Sequence, residues 1–207
     1  MKKHEKLLTA AVAGMVMNHA VAQDRMPRIP DDKLTADQKK AAAELIAGPR
    51  GVLQGPFVPL LRSPDFMSRV QKVGEYIRFA CPLEKRINEM AAIMAARHWT
   101  QQYEWVAHYR QALEAGLKPA VADAIAEGRR PAAMAADEEI VYEFLTELFA
   151  NKSVSDPTYA RAVAKFGEPG VIDLIGIVGY YALLAMVMNV ARTPVAEGSK
   201  LLAPLPR

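Results

Sequence analysis

The sequence predicts an all-α fold, a single-domain helical bundle, and three observations lead there. No segment carries the strict apolar–polar alternation of a half-buried strand, and no hairpin signal separates two apolar runs. Apolar residues recur instead at helical spacing. Proline, glycine and capping signals cut the chain at short intervals, so each helix lies against its sequence neighbours. The 207 residues are 51 % apolar and 24 % charged, which is globular composition and enough apolar material for one core. There is no repeat of fixed period and no low-complexity tract.

The elements follow in order. Gln23 to Pro30 is polar with two prolines and reads as an extended lead-in. Thr35-Ala36-Asp37-Gln38 is a capping box, and Gly48-Pro49 stops that helix. Residues 49–59 hold Gly51, Gly55, Pro56 and Pro59, a loop or short helical turn with Phe57 free to pack over something. Ser63-Pro64-Asp65 is a helix start, followed by Phe66, Val70, Val73 and Ile77 at helical spacing. Pro82 opens a helix to about His98, and its stretch Met90–Ala96 is uncharged on every face, the mark of a helix buried all round. Trp99-Thr100 is a joint. A helix from about Gln101 to Ala115 ends at Gly116, and Lys118-Pro119 starts a short one to Glu127. Ala135 to Asn151 is amphipathic through Ile140, Phe144 and Leu148. Asp156-Pro157 opens a helix up to Phe166, and Glu168-Pro169 opens a long one to about Ala191.

Two apolar stretches bear on location. Lys2, Lys3 and Lys6 precede the uncharged run Leu7–Met17, and Ala20-Val21-Ala22 gives a small-x-small site. That is the layout of a secretory signal peptide, so residues 1–22 are expected to direct export, with cleavage after Ala22 and a secreted or periplasmic protein of residues 23–207. The run is short of the ~20 residues a membrane anchor needs. Val171–Val190 is long enough, but Asp173, Tyr180, Tyr181 and Asn189 suit a buried core helix better, so no membrane partner is expected after cleavage.

Formal net charge is +3, of which the first 22 residues supply +2, so the body is close to neutral. It carries no basic stripe, and nucleic acid is not expected as a partner despite a pI near 8.9. The single cysteine, Cys81, excludes a dithiol redox pair within one chain.

Gln101, Glu104 and His108 stand three and four apart and share one helix face. Trp105 and Ala112 border that face, beside an apolar stripe through Trp105, Tyr109 and Leu113. A carboxylate and an imidazole there are partly buried and tune each other's proton affinity, a pair able to move a proton near neutral pH. The alternative is an ordinary i,i+4 helix pair, and Glu89 is open to the equally plain reading of an acid facing solvent or a subunit.

The stretch RINEMAAIMAARHWTQQYEWVAHYRQALEAGL, within Glu84–Leu117, resembles the core of the carboxymuconolactone decarboxylase and alkylhydroperoxidase D-like family. That family's motif is a glutamate, a Cys-x-x-Cys twelve positions on, and a histidine four beyond the second cysteine. Glu89 stands at the glutamate position and His108 at the histidine. Gln101 and Glu104 stand where the redox branch has its cysteines, with Tyr103 between them. YEWVAH is close to the decarboxylase branch, which lacks the pair, and Val171–Thr193 resembles the family's closing helix. The resemblance implies an alkylhydroperoxidase D-like bundle and a trimer or hexamer. It also implies a cofactor-independent lyase or isomerase acting on a small organic acid or lactone. His108, Glu104, Glu89 and Tyr103 are its candidate catalytic residues. Gln101, Phe57, Tyr180 and Tyr181 are candidates for contacting substrate, the three aromatics equally open to a core role. Thiol peroxidase chemistry lacks its sulfurs here.

The residues admit two rival readings. One is a non-catalytic oligomer that binds a small ligand. The other is a metal site made from Glu89, Glu104 and His108 with His98, although the Glu-to-His spacing of four is not that of di-iron bundles and no metal is expected.

Overall fold

The computed structural model describes residues 23–204. The expected leader, residues 1–22, lies outside the described residues. Within them the chain is all helical, with no strand. The α-helices are α1 (Ala36–Ala47), α2 (Phe57–Leu60), α3 (Pro64–Glu75), α4 (Lys85–His98), α5 (Gln102–Glu114), α6 (Pro119–Ala126), α7 (Ala136–Asn151) and α8 (Asp156–Ala191).

Helix α4 is the axis of the bundle, with α5, α6, α7 and α8 packed around it. Its uncharged stretch is enclosed as its composition requires: Met90 to Ala96 are all buried. Its small alanines let neighbouring helices approach closely. The first turn of α4 is tied to α7 by Arg86, which reaches Asp137 at 2.7 Å and Glu138 at 2.5 Å. The far end is held by Arg97, a buried guanidinium that donates to the carbonyls of Ala126 and Ala203 and to Thr100 Oγ1. Gln102 adds a two-way amide contact with the backbone of Leu202, itself buried. Thr100, in the joint between α4 and α5, has φ 48°. A left-handed threonine costs roughly 1–2 kcal/mol, and the clamp around it holds the sharp turn that sets α5 beside α4.

The capping box of α1 is present in full, with Gln38 N donating to Thr35 Oγ1 and Thr35 N to Gln38 Oε1. The expected stripe on α3 is corrected. Phe66 and Val73 are exposed, and Met67, Val70, Gln71 and Gly74 face the core. Gly74 decides this, because an added Cβ would lie 2.1 Å from Tyr180 Oη. Only glycine lets α3 approach α8 with that phenol between them. After Glu75 the chain makes one π-turn, Tyr76–Ala80, whose Ile77 carbonyl accepts from the buried Asn88 amide at 2.7 Å. The next helix begins at Lys85, not at Pro82.

The two helices expected around residue 167 are present as the two parts of α8, separated by a non-helical Gly167, φ 70°. Pro169 has no N–H to give and its ring opposes a straight helix, so the chain bends just ahead of it. The later part of α8 is long and apolar enough to cross a bilayer, yet Leu174, Ile177, Tyr181, Leu184 and Met188 are buried inside the bundle.

Candidate functional site

Helices α4 and α5 lie side by side and bring Glu89 and His108 together across nineteen positions of sequence. His108 Nδ1 is 2.6 Å from Glu89 Oε2, and His108 Nε2 is 3.2 Å from Glu104 Oε2. All three side chains are buried. Lys85, one turn before Glu89 on α4, places Nζ 2.6 Å from Glu89 Oε1. The contact is an ion pair and not an aligned hydrogen bond, since that oxygen has no partner of proper geometry among the described residues.

Both nitrogens of one imidazole thus face carboxylate oxygens. A ring between two carboxylates meets both contacts when each nitrogen carries a proton, which favours the imidazolium form. Burial opposes the charge on His108, but the carboxylates of Glu104 and Glu89 beside its two nitrogens outweigh it and hold the ring above its ordinary value. Burial likewise opposes ionisation of Glu89, and the His108 ring with Lys85 outweighs it, holding the carboxyl below the usual range.

This group forms part of the wall of a cavity of about 680 Å³ between the π-turn, α5, α8 and the 49–57 loop. Glu104 and His108 line it. Glu89 does not; it stands behind the ring. Tyr103, Phe57, Tyr180 and Tyr181 line the cavity too, so the three candidate aromatics are both core and wall. Tyr181 packs edge-on to the His108 ring at 4.5 Å between centroids, and Tyr180 packs on Tyr181 at 5.2 Å. Burial pushes the Tyr180 phenol up to about 12 and lifts Tyr181 well above its ordinary value, so both stay neutral donors. Gly55, at φ 57°, leaves the space that the Tyr103 ring fills. At Gly74 the same logic gives a test. Gly74→Ala drives a methyl group into Tyr180 Oη and crowds Arg50, and is expected to cost about 1–3 kcal/mol with loss of ligand affinity. Chemical denaturation and a binding titration on the same preparation measure the two effects.

Gln101 takes a different place from the one expected. It does not line the cavity. Its side-chain oxygen accepts from Glu104 N at 2.9 Å, and its amide nitrogen is 3.4 Å from Asn189 Oδ1. It is the N-cap of α5, and its work is to fix the helix start that aims Glu104. Gln101→Ala is therefore expected to lower stability by about 1 kcal/mol while leaving ligand affinity within a factor of two or so. A urea melt and a titration distinguish this from direct substrate contact, which would show as weakened affinity.

The metal reading has its ligands in the wrong places. The two carboxylates sit on opposite nitrogens of the ring, so no single ion bound to one nitrogen can take both. His98, at the far end of α4, is exposed and stacks on Phe149 at 4.4 Å. Among the described residues no group of three or more His, Cys, Asp or Glu is disposed to hold a metal ion. Cys81 is half-buried, lies outside the cavity lining, and burial pushes its thiol up, the reverse of an activated thiolate.

Three basic residues of the site were not anticipated. Arg50 lies over the Phe57 ring at 4.5 Å and donates to Tyr180 Oη at 3.3 Å. Arg78, on the π-turn, donates to Gln111 Oε1 at 3.1 Å. Lys85 had a visible signal, its i,i+4 spacing to Glu89. Arg50 sits in a glycine- and proline-rich loop, and Arg78 reaches the cavity through a π-turn that no regular period describes.

No family model, no curated protein and no solved structure matches this chain.

Proposed function

We propose that this protein is an acid–base enzyme of the carboxymuconolactone decarboxylase type. In this reading it moves protons on a small organic acid or lactone without a cofactor. One observation carries it: an imidazole held between two buried carboxylates in the wall of a cavity lined in part by aromatic rings. A surface Glu–His pair would only steady a helix. A buried one that meets a cavity of ligand size is placed to exchange protons with what enters.

The residues have separate tasks. His108 and Glu104 share the cavity wall and exchange the proton. Glu89 orients the ring from behind and favours its charged form, as a carboxylate does for an imidazole. Lys85 keeps Glu89 ionised. Tyr103 supplies a phenolic O–H for a developing enolate oxygen. In a decarboxylation, the bond from the carbon framework to the carboxylate breaks and carbon dioxide leaves. The electron pair passes into the adjoining unsaturated system, and the proton on His108 Nε2 goes to carbon. Solvent then restores the proton. In an isomerisation, Glu104 takes a proton from carbon and His108 returns one elsewhere.

Export rests on residues 1–22. A homo-oligomer, trimer or hexamer, is part of the same proposal, supported by the exposed Ile172, Ile175, Met186 and Val190 along α8.

The experiment is incubation of the purified protein with a panel of unsaturated lactone acids and β,γ-unsaturated acids in D2O. Proton NMR follows loss or exchange of C–H signals, and carbon dioxide release is measured in parallel. Enzyme-dependent exchange or release with at least one member is expected. Saturable binding across the panel with neither change would assign the protein to the non-catalytic ligand-binding class.

A further inference from the structure

We infer that Arg50 and Arg78 form an oxyanion subsite that seats a carboxylate on a flat, apolar ligand body. The assignment of that ligand's reactive carbon to Glu104 and His108 rests on the proposed acid–base reading; the subsite itself does not.

Three arginines line the cavity, Arg50, Arg78 and Arg110. Arg110 is exposed and paired with Glu114 at 3.3 Å. Among the described residues neither Arg50 nor Arg78 has a carboxylate within 4.0 Å, unlike Arg86, which holds two at 2.5–2.7 Å. Arg50 spends one donor on Tyr180 and Arg78 one on Gln111, out of five on each guanidinium. The Nε of each is buried with no partner. Each guanidinium therefore keeps terminal N–H donors to spare, and both side chains line the cavity.

The charge balance points the same way. Lys85, Glu89, His108 and Glu104 pair among themselves, and Arg110 pairs with Glu114. The cavity is left with the two positive charges of Arg50 and Arg78, facing its interior without a counter-ion. The fold also holds both guanidinium groups in place. Arg50 lies flat on the Phe57 ring, and Gly74 leaves open the space that Arg50 and Tyr180 fill, an added Cβ coming within 3.0 Å of Arg50 Nη2. Arg78 is turned into the cavity by the π-turn, a distortion common at functional sites. A planar guanidinium fork fits a carboxylate with two parallel hydrogen bonds. The aromatic walls, Phe57, Phe79, Tyr103, Tyr180 and Tyr181, favour an anion carried on a flat apolar body over a bare inorganic ion.

Binding is tested on the full chain with three probes, by calorimetry and thermal shift: benzoate, its uncharged isostere benzamide, and inorganic phosphate. Benzoate is expected to bind saturably and raise Tm, and benzamide to bind about tenfold more weakly or not at all. Arg78→Gln and Arg50→Gln are each expected to weaken benzoate by about tenfold or more, with far-UV circular dichroism unchanged. Equal affinity for benzoate and benzamide on the wild-type protein overturns the subsite without need of any variant, as does unchanged benzoate affinity in both variants. Phosphate binding tighter than benzoate overturns the carboxylate assignment. Arginine-dependent benzoate binding in a protein that turns over no acid in D2O keeps the subsite and removes the acid–base reading. Turnover with arginine-independent binding does the reverse.

Discussion

His108→Asn is expected to lower turnover by about 10²–10⁴-fold on any acid or lactone the wild-type protein converts, with ligand affinity changed far less. Asparagine retains one hydrogen-bonding contact toward Glu89 and fills much of the ring's space, but it cannot gain or lose a proton at any working pH. The loss therefore isolates proton transfer from shape. Glu104→Gln removes the other proton-exchanging group on the cavity wall and is expected to fall in the same range. The two deficits are not additive, because both residues serve one transfer. Full retained turnover in both variants removes the catalytic assignment of this face of α5.

The second large effect is on stability and its pH dependence. Glu89→Leu removes the acid that stands between Lys85 and His108. Breaking a buried ion pair from one side costs about 3 kcal/mol, near the low end of the usual range, because Lys85 is half-exposed and turns to water. For a chain of this size that is a Tm drop of roughly 6–12 °C. The sign with pH follows from the two shifts. Glu89 is held below its ordinary 4.5, so its contribution is complete above pH 4.5 and fades as pH falls through the folded value. His108 is held above its ordinary 6.5, so its contribution is complete below pH 6.5 and fades as pH rises through the folded value. The stability gap between wild type and Glu89→Leu is thus widest from pH 4.5 to 6.5 and narrows on both sides. Urea melts across pH 3 to 10 measure it, and a gap that does not vary with pH contradicts a charged pair.

Much of the fold was legible because its signals are local. The Thr35 capping box, the joint at Trp99-Thr100 and the uncharged run Met90–Ala96 each depend on near neighbours or on composition, and each stands where the residues place it. The stripe on α3 was misread because the buried face is chosen by Gly74 meeting Tyr180, a contact between residues more than a hundred positions apart. The candidate site divides in the same way. Glu104 and His108 announce themselves by spacing on one helix. The partnership of His108 with Glu89 comes from α4 lying against α5, and spacing along a single helix is blind to it. Arg50 and Arg78 were out of reach for another reason: one is on an irregular loop and the other on a π-turn, and neither has a periodic neighbour to mark the face it takes. Gln101 was legible as a polar residue on the right face, but a side chain that caps a helix and one that touches a ligand leave the same trace in sequence.

The chemistry of the site turns on the protonation state of the His108 ring. Nitrogen-15 NMR of protein labelled in its histidines reads it directly at pH 7. Histidines near their ordinary value are mainly neutral there, with their two ring nitrogens at widely separated shifts. His108, identified by the signal missing from His108→Asn, is expected to show both nitrogens at the shifts of a charged imidazolium, with protons slow to exchange with solvent. A neutral His108 ring at pH 7, with one bare nitrogen and rapid exchange, contradicts a charged imidazolium held between Glu89 and Glu104.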